Sequence, residues 1–421
     1  MTVDTNGPVA PVELPPEVFR ADPHAAYARL RRDAPVHRVA GPMGSELWLV
    51  TRYEDVRAAL VDPRLSKEPA NAPEWAQIMA GGGRGGGPMG RNMLNSDPPD
   101  HTRQRRLVSA SFSPRRIEAL APRVQRITDD LVDAMAKRAA AGEIVDLVGE
   151  LAHPLPMTVI CELLGIPAGQ RHSFAGWTRM LLASPATPEG IESRRAGNEL
   201  MDGFLTTLLD AKRDEVDPTL ARDAQPDLLS ALLLPESGER LDPGELLGMV
   251  KLLLVAGHET TVNHLGNAVL SLLAWPDQLA LLRCRPDLLP AAVEELLRYE
   301  GALERLPMRF TVTDVEIAGV TIPAGSAVNF VVSSANRDGT RFTAPDTLDV
   351  TRPANHHLAF GHGIHYCLGM SLARIESRVA IGTLLRRFGS IELACPAEEL
   401  VWRIGGPHIM RGLDALPLRL A

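Results

Sequence analysis

The stretch FGHGIHYCLG, Phe360–Gly369, decides how this chain is read. It sets one cysteine, Cys367, in a turn punctuated by Gly361 and Gly363, just ahead of a helical pattern, LGMSLARIESRVAIGTLLRRF. Glycine takes positive φ freely and lets the backbone approach a flat ligand closely. Amide N–H groups in such a loop can point at the sulfur and set its charge, and a helix N-terminus beyond it favours a thiolate. The competing reading of Cys367 is a buried structural thiol, the common fate of a free cysteine; the density of the surrounding pattern sets it aside. Cys161, Cys284 and Cys395 lie in apolar or unpatterned surroundings, and for them the structural reading holds. No CxxC pair occurs, so zinc and iron–sulfur sites are not expected.

With Phe seven positions before the cysteine, His two before it and Gly two after it, the segment resembles the haem-ligand loop of the cytochrome P450 family. The likeness extends from about Pro23 to Leu420 and is to the soluble bacterial type, the actinobacterial members that tailor secondary metabolites. It implies the P450 fold and a haem b cofactor (iron protoporphyrin IX), with Cys367 as axial ligand to the iron and Phe360, Gly361 and His365 against the cofactor.

Composition agrees. The chain has 421 residues, 45% of them hydrophobic, enough for a large core, and its few cysteines suit a reducing, cytoplasmic setting. The start, MTVDTNGPVAPVELPPEVF, is polar and proline-rich, so neither a signal peptide nor a membrane anchor is expected. A net charge of −8 and an aromatic content of 4% argue against nucleic acid as a partner.

Along the chain, PHAAYARLRRDAP predicts a short helix, VHRV and LWLVT a small hairpin, and RYEDVRAALVDPRLS a return to helix. Residues 81–90, GGGRGGGPMG, contain GxGxxG as Gly85, Gly87 and Gly90, but Pro88 interrupts it and no βαβ unit surrounds it. They read as a mobile surface loop, and residues 81–87 lie where the family places a pocket-covering segment, so a lid is expected there. From Pro114 to about Arg283 the pattern is nearly all helical. Pro243 to Trp275 forms one helix of about 45–50 Å, apolar on most faces but carrying Lys251, His258 and Glu259, hence a buried central helix. The segment from Arg309 to Asn336 alternates like strands, and the C-terminal VWRIGGPHIMRGLDALPLRL like a last hairpin. The expected fold is mostly α with small β-sheets (α+β): one haem domain over 23–421 with a long central helix, behind a flexible 1–22.

The middle of that helix reads VAGHETTVNH, and Ala256, Gly257, Glu259 and Thr260 resemble the family's acid–alcohol motif. Reduction of dioxygen consumes protons: a hydroxyl beside the iron can hold a water, and a carboxylate behind it can relay protons from solvent. Gly257 would leave room for dioxygen, and the Thr260 hydroxyl would bond back to the helix backbone, opening its ladder locally. A zinc motif is excluded because Val262 stands where HExxH needs His, and His264 lies on a different face. Glu295 and Arg298 sit at i,i+3 on one helix face; the resemblance implies that they form a buried network with Arg352 that holds the cysteine loop. His101 and Arg105, at i,i+4, together with Arg309 and His365, are the implied partners of the haem propionates.

No flavin or nicotinamide fingerprint occurs, so ferredoxin and ferredoxin reductase are the expected electron donors, docked by Arg103, Arg106, Arg374 and Arg378 or, equally, not by these if they are merely solvated. The implied activity is a haem-thiolate monooxygenase that hydroxylates a C–H bond or epoxidises an alkene. The expected walls of the pocket are Met89 to Leu94, Met180 to Leu182, Met249 to Val255, Leu303 to Leu306 and Ile404 to Ile409, with Met89, Leu94, Leu182, Leu253, Leu303 and Ile409 singled out. Their aliphatic character suits a bulky apolar small molecule such as a macrolide or polyketide, taken up by a monomer. The alternatives are a peroxide-driven haem-thiolate enzyme acting on a terpenoid, steroid or fatty acid, and a non-catalytic haem-thiolate sensor.

Overall fold

In the computed structural model, which describes residues 22–40, 45–79, 89–183, 187–353, 355–405 and 409–421, the central helix spans Pro243–Ala274, 32 residues. Its start is defined chemically. The Asp242 side chain accepts from the Glu245 N–H, and Glu245 reaches back to the Asp242 N–H, a capping box with Pro243 in the first turn. Trp275 closes the helix, and Pro276 opens the next one at 103° to it. No single described helix is long and apolar enough to cross a membrane.

The longer helices are α1 (Pro23–Asp33), α2 (Asp100–Ser111), α3 (Ala121–Ala140), α4 (Pro154–Leu164), α5 (Arg171–Leu181), α6 (Pro188–Glu215), α7 (Pro243–Ala274), α8 (Leu289–Tyr299) and α9 (Met370–Arg387). α7 meets α4 and α6 on one side and α8 and α9 on others. It is covered on most sides, so Met249, Leu254, Val262, Leu265 and Leu272 are buried on different faces, while Ala256 is left open. The main apolar core, from Met93 to Leu420, forms around it.

The strands are β1 (Val36–Ala40), β2 (Glu46–Val50), β3 (Leu65–Ser66), β4 (Val145–Asp146), β5 (Arg309–Thr311), β6 (Val315–Ile317), β7 (Val320–Ile322), β8 (Ala327–Phe330), β9 (Ile391–Leu393), β10 (Trp402–Gly405), β11 (Met410–Leu413) and β12 (Pro417–Leu420). The largest sheet has the order β1-β2-β8-β5-β3. β2 runs parallel to β8 with Leu47 opposite Ala327, and the other pairs are antiparallel. Trp48, Tyr53, Phe330 and Phe342 form a second core beneath it.

Three expectations need correction. The helix after β2 ends at Ala59, and Leu65–Ser66 joins the sheet as β3. The C-terminal hairpin is β10 with β11, while Pro417–Leu420 leaves it to pair with β9 and β4. Cys284 is exposed and so is not a buried structural thiol, whereas Cys161 is buried. The N-terminal segment up to residue 21, most of the glycine loop (81–88) with its expected lid, and residues 406–408 lie outside the described residues.

Candidate active site

The cysteine loop is held by its own backbone. The Cys367 N–H donates to the Phe360 carbonyl at 3.0 Å, and the Gly361 N–H to Leu358 at 2.9 Å. Gly361 and Gly363 take φ of 72° and 75°, a conformation that penalises any side chain. A Cβ on Gly363 would stand 3.0 Å from the Leu60 carbonyl oxygen, so its close neighbour is protein backbone. Cys367 is half-buried, its open side facing a cavity of about 540 Å³. Burial pushes its thiol up, while the Gly369 N–H, Arg105 and Arg374 pull it down. A buried thiol in that balance ionises readily once a metal cation sits against it.

Of the expected propionate partners, Arg105, Arg309 and His365 line the same cavity, and His101 packs against His365. The rings of His101 and His365 lie 4.4 Å apart between centroids, tilted at 57° to each other. Arg105 donates to the Tyr366 carbonyl at 2.6 Å, and Arg309 to the Leu65 carbonyl at 3.2 Å. Both ring nitrogens of His101 and Nε2 of His365 are buried without a hydrogen-bond partner among the described residues. Burial, with Lys67, Arg309, His101 and Arg105 adding to it, pushes His365 down to about 2. Five basic side chains gather here, while Asp97 acts on only Lys67, His101 and Arg309, and Asp62 on Arg309; that excess of positive charge, with orphaned ring nitrogens in it, fits a dianionic group such as the two propionates of a haem. The fifth, Lys67, was missed. Burial pushes it down to about 7, and its ammonium donates to the Met308 carbonyl at 2.9 Å. A lone lysine after a two-residue strand carries no periodic signal that could have flagged it.

Ala256, Gly257, Glu259 and Thr260 line the cavity from α7. Thr260 Oγ1 donates to the Ala256 carbonyl at 3.1 Å, as expected, but α7 continues unbroken, so the bond does not open the ladder. A Cβ on Gly257 would meet Ile160 Cδ1 of α4 at 2.8 Å. Ile160 therefore packs against the side of Gly257 where a side chain would stand, while Gly257 also borders the cavity. Burial opposes ionisation of Glu259, yet His258, Arg403 and His153 together hold its carboxyl below the ordinary range. Arg403 reaches to 3.8 Å from β10, a contact without local sequence signal.

Glu295, Arg298 and Arg352 meet as expected: Arg298 Nη2 to Glu295 Oε1 at 2.7 Å and Arg352 Nε to Oε2 at 3.0 Å. Glu294 turns the other way and holds Arg374 at 2.7 Å. The singled-out pocket residues Met89, Leu94, Leu182, Leu253, Leu303 and Ile409 all line the cavity. Met249, Val250 and Leu254 are buried in the core on other faces of α7. Of the four arginines weighed for docking, Arg103 is bound by the buried Glu245, Arg106 by Glu239 and Arg374 by Glu294, and Arg106 and Arg378 are exposed.

A family model described as Cytochrome P450 matches residues 20–284 and 285–397. The chain belongs to the cytochrome P450 family: it is a haem-thiolate monooxygenase that draws electrons from a redox partner and acts on a small molecule. It is 44% identical over 407 residues to vitamin D(3) 25-hydroxylase of Pseudonocardia autotrophica, covering 96% of this chain and 94% of that one. It is 40% identical over 415 residues to 6-deoxyerythronolide B hydroxylase of Saccharopolyspora erythraea, covering 97% and 98%. Among solved structures, the tirandamycin C-bound P450 monooxygenase TamI superposes with a TM-score of 0.85 at 41% identity, over 98% of this chain and 100% of that one.

Proposed function

We propose that this protein oxygenates a bulky apolar secondary metabolite of macrolide or polyketide type. The observation that carries the reading is the single cavity that joins Cys367 and the basic cradle to an aliphatic wall of Met89, Leu94, Leu253, Leu303 and Ile409. A relative that hydroxylates 6-deoxyerythronolide B and a similar structure with tirandamycin C bound support it. The haem b that we place here supplies, when bound, activation of dioxygen and attack on the C–H bond or alkene. Cys367 would ligate its iron, Phe360 and Gly361 would lie against it, and His101, Arg105, Arg309, His365 and Lys67 would hold its propionates. Thr260 would fix a water by its hydroxyl, and Glu259 would pass protons to that water. Glu295, Arg298 and Arg352 would brace the segment leading to Cys367. The apolar wall would orient the substrate and exclude bulk water.

We further propose one domain over 23–421, a cytoplasmic monomer, and a ferredoxin with its reductase as donors, docking near Arg378. Titration of the ferric protein with macrolactones, steroids and fatty acids, followed at the Soret band, tests the substrate reading. A low-to-high-spin shift with macrolactones supports it. A shift only with steroids overturns the macrolide or polyketide reading in favour of a steroid-like substrate, the class to which the name of the vitamin D(3) relative points.

A further inference from the structure

Nδ1 of His258 lies 2.7 Å from the Leu254 carbonyl oxygen, one turn back on α7. A carbonyl only accepts, so Nδ1 carries a hydrogen. Nε2 then lies 3.3 Å from Oε1 of Glu259, within ion-pair distance though not aligned for a hydrogen bond, and has no hydrogen-bond partner among the described residues. The His258 side chain is 0% exposed and that of Glu259 is 8% exposed. Two bare acceptors this close in a buried site would repel, and Nε2 has no alternative partner among the described residues. We infer that His258 and Glu259 work as one unit that holds a single proton between Nε2 and Oε1, making His258 the positioning residue that recharges the Glu259 carboxyl.

The surroundings favour that arrangement. Arg403 of β10 stands 3.8 Å from Oε2, the far oxygen of the carboxylate. It is itself anchored to Asn263 Oδ1 at 3.1 Å, against a β11 whose Gly412 leaves the Asn263 side chain its space. This positive charge stabilises the ionised carboxylate, so the shared proton rests on the imidazole. On the other side His153, at the start of α4, has its ring centroid 6.2 Å from that of His258. It is half-buried and so reaches solvent beside His258, and Arg179 of α5 also bears on it. Proton flow balances without an external reagent beyond water. The Nε2–H bond breaks as the Oε1–H bond forms, leaving His258 neutral with hydrogen on Nδ1. When the carboxyl passes its proton towards Thr260, the bare Nε2 takes one from solvent past His153. Glu259 lines the cavity and His258 does not, so His258 acts only through Glu259.

The inference rests on the relay reading of Glu259 and Thr260, but it has a readout of its own. In the holoenzyme as the diamagnetic ferrous–CO complex, ¹⁵N-histidine spectra identify His258 by its loss in His258→Gln. At pH 7.5 the wild-type ring is expected to carry hydrogen on both nitrogens, and Glu259→Gln is expected to return it to the form with hydrogen on Nδ1 alone. A wild-type His258 with a bare Nε2 overturns the inference. The second readout is the pH profile of coupled turnover. The wild type is expected to stay level from pH 6.5 to 8.5, while His258→Gln, whose amide still donates to Glu259 but carries no mobile proton, falls about tenfold per pH unit. Parallel profiles overturn the recharging role. If Thr260→Ala leaves turnover and coupling unchanged, the relay reading fails while the shared proton in the spectra stands.

Discussion

Replacing Glu295 by Ala is the most demanding test of how the cysteine loop is held. The Glu295 carboxylate accepts from Arg298 Nε and Nη2 at 2.7 Å each, Arg352 Nε at 3.0 Å, Asn355 Nδ2 at 2.8 Å and the Asp349 N–H at 3.1 Å. Both side chains of the Glu295–Arg298 pair are 0% exposed, so removing the acid leaves a buried guanidinium. Breaking a buried pair from one side costs about 3–5 kcal/mol, or roughly 150- to 4,000-fold in the folding equilibrium. Arg298 keeps the carbonyls of Asn336, Pro345 and Thr347 at 2.9, 2.7 and 3.1 Å, which places the expectation in the lower half of that range. Glu295→Gln retains one acceptor and should fall between Ala and wild type. The assay is urea unfolding followed by tryptophan fluorescence, in parallel with the 450 nm band of the ferrous–CO complex. Glu295→Ala should lower the unfolding midpoint sharply and lose the band at less urea than the protein unfolds. A cost below about 1 kcal/mol with the band fully retained would refute the view that this pair secures the loop.

Glu376, fully buried on α9, is pushed up to about 8 by burial. Its folded value lies above the unfolded one, so its stabilising contribution is full below about 4.5 and is lost as pH rises through about 8. Glu376→Gln should therefore gain in melting temperature relative to wild type at pH 8.5 but not at pH 4.5; equal differences at both would contradict this. Lys67 has the opposite sign: pushed down to about 7, its contribution is present above 10.5 and lost as pH falls through 7. Lys67→Met should stabilise the haem-free protein by up to roughly 4 kcal/mol near pH 7 and by little above pH 10. Haem loading at pH 8 should also take up fewer protons in that variant, measurable by calorimetry in buffers of different ionisation enthalpy. Gly257→Ala should cost about 1–3 kcal/mol by overpacking against Ile160, and Ile160→Ala in the same chain should recover most of it. Additive costs in the double mutant would show that Ile160 is not the obstacle.

What local pattern could carry was legible. The cysteine loop, the 32-residue helix and the Glu295–Arg298 spacing each follow from neighbours within a few positions, where helix period and turn chemistry act directly. The family resemblance then located Arg352, His101, Arg105 and Arg309, which spacing alone would not have joined. Four arginines expected to be available for docking were a different matter, because the acids that bind Arg103 and Arg106 lie well over a hundred positions further on.

By itself the sequence determined the thiol loop, the acid–alcohol helix and the class of chemistry, because these depend on residue type and short-range geometry. Only the tertiary structure decided that Ile160 fills the space beside Gly257, that Lys67 joins the basic cradle and that Arg403 and His153 flank the His258–Glu259 pair. It also decided that two-residue strands such as Leu65–Ser66 exist at all. Such contacts depend on which distant surfaces close over one another, and burial and pairing energies act through space, without leaving a period in the chain.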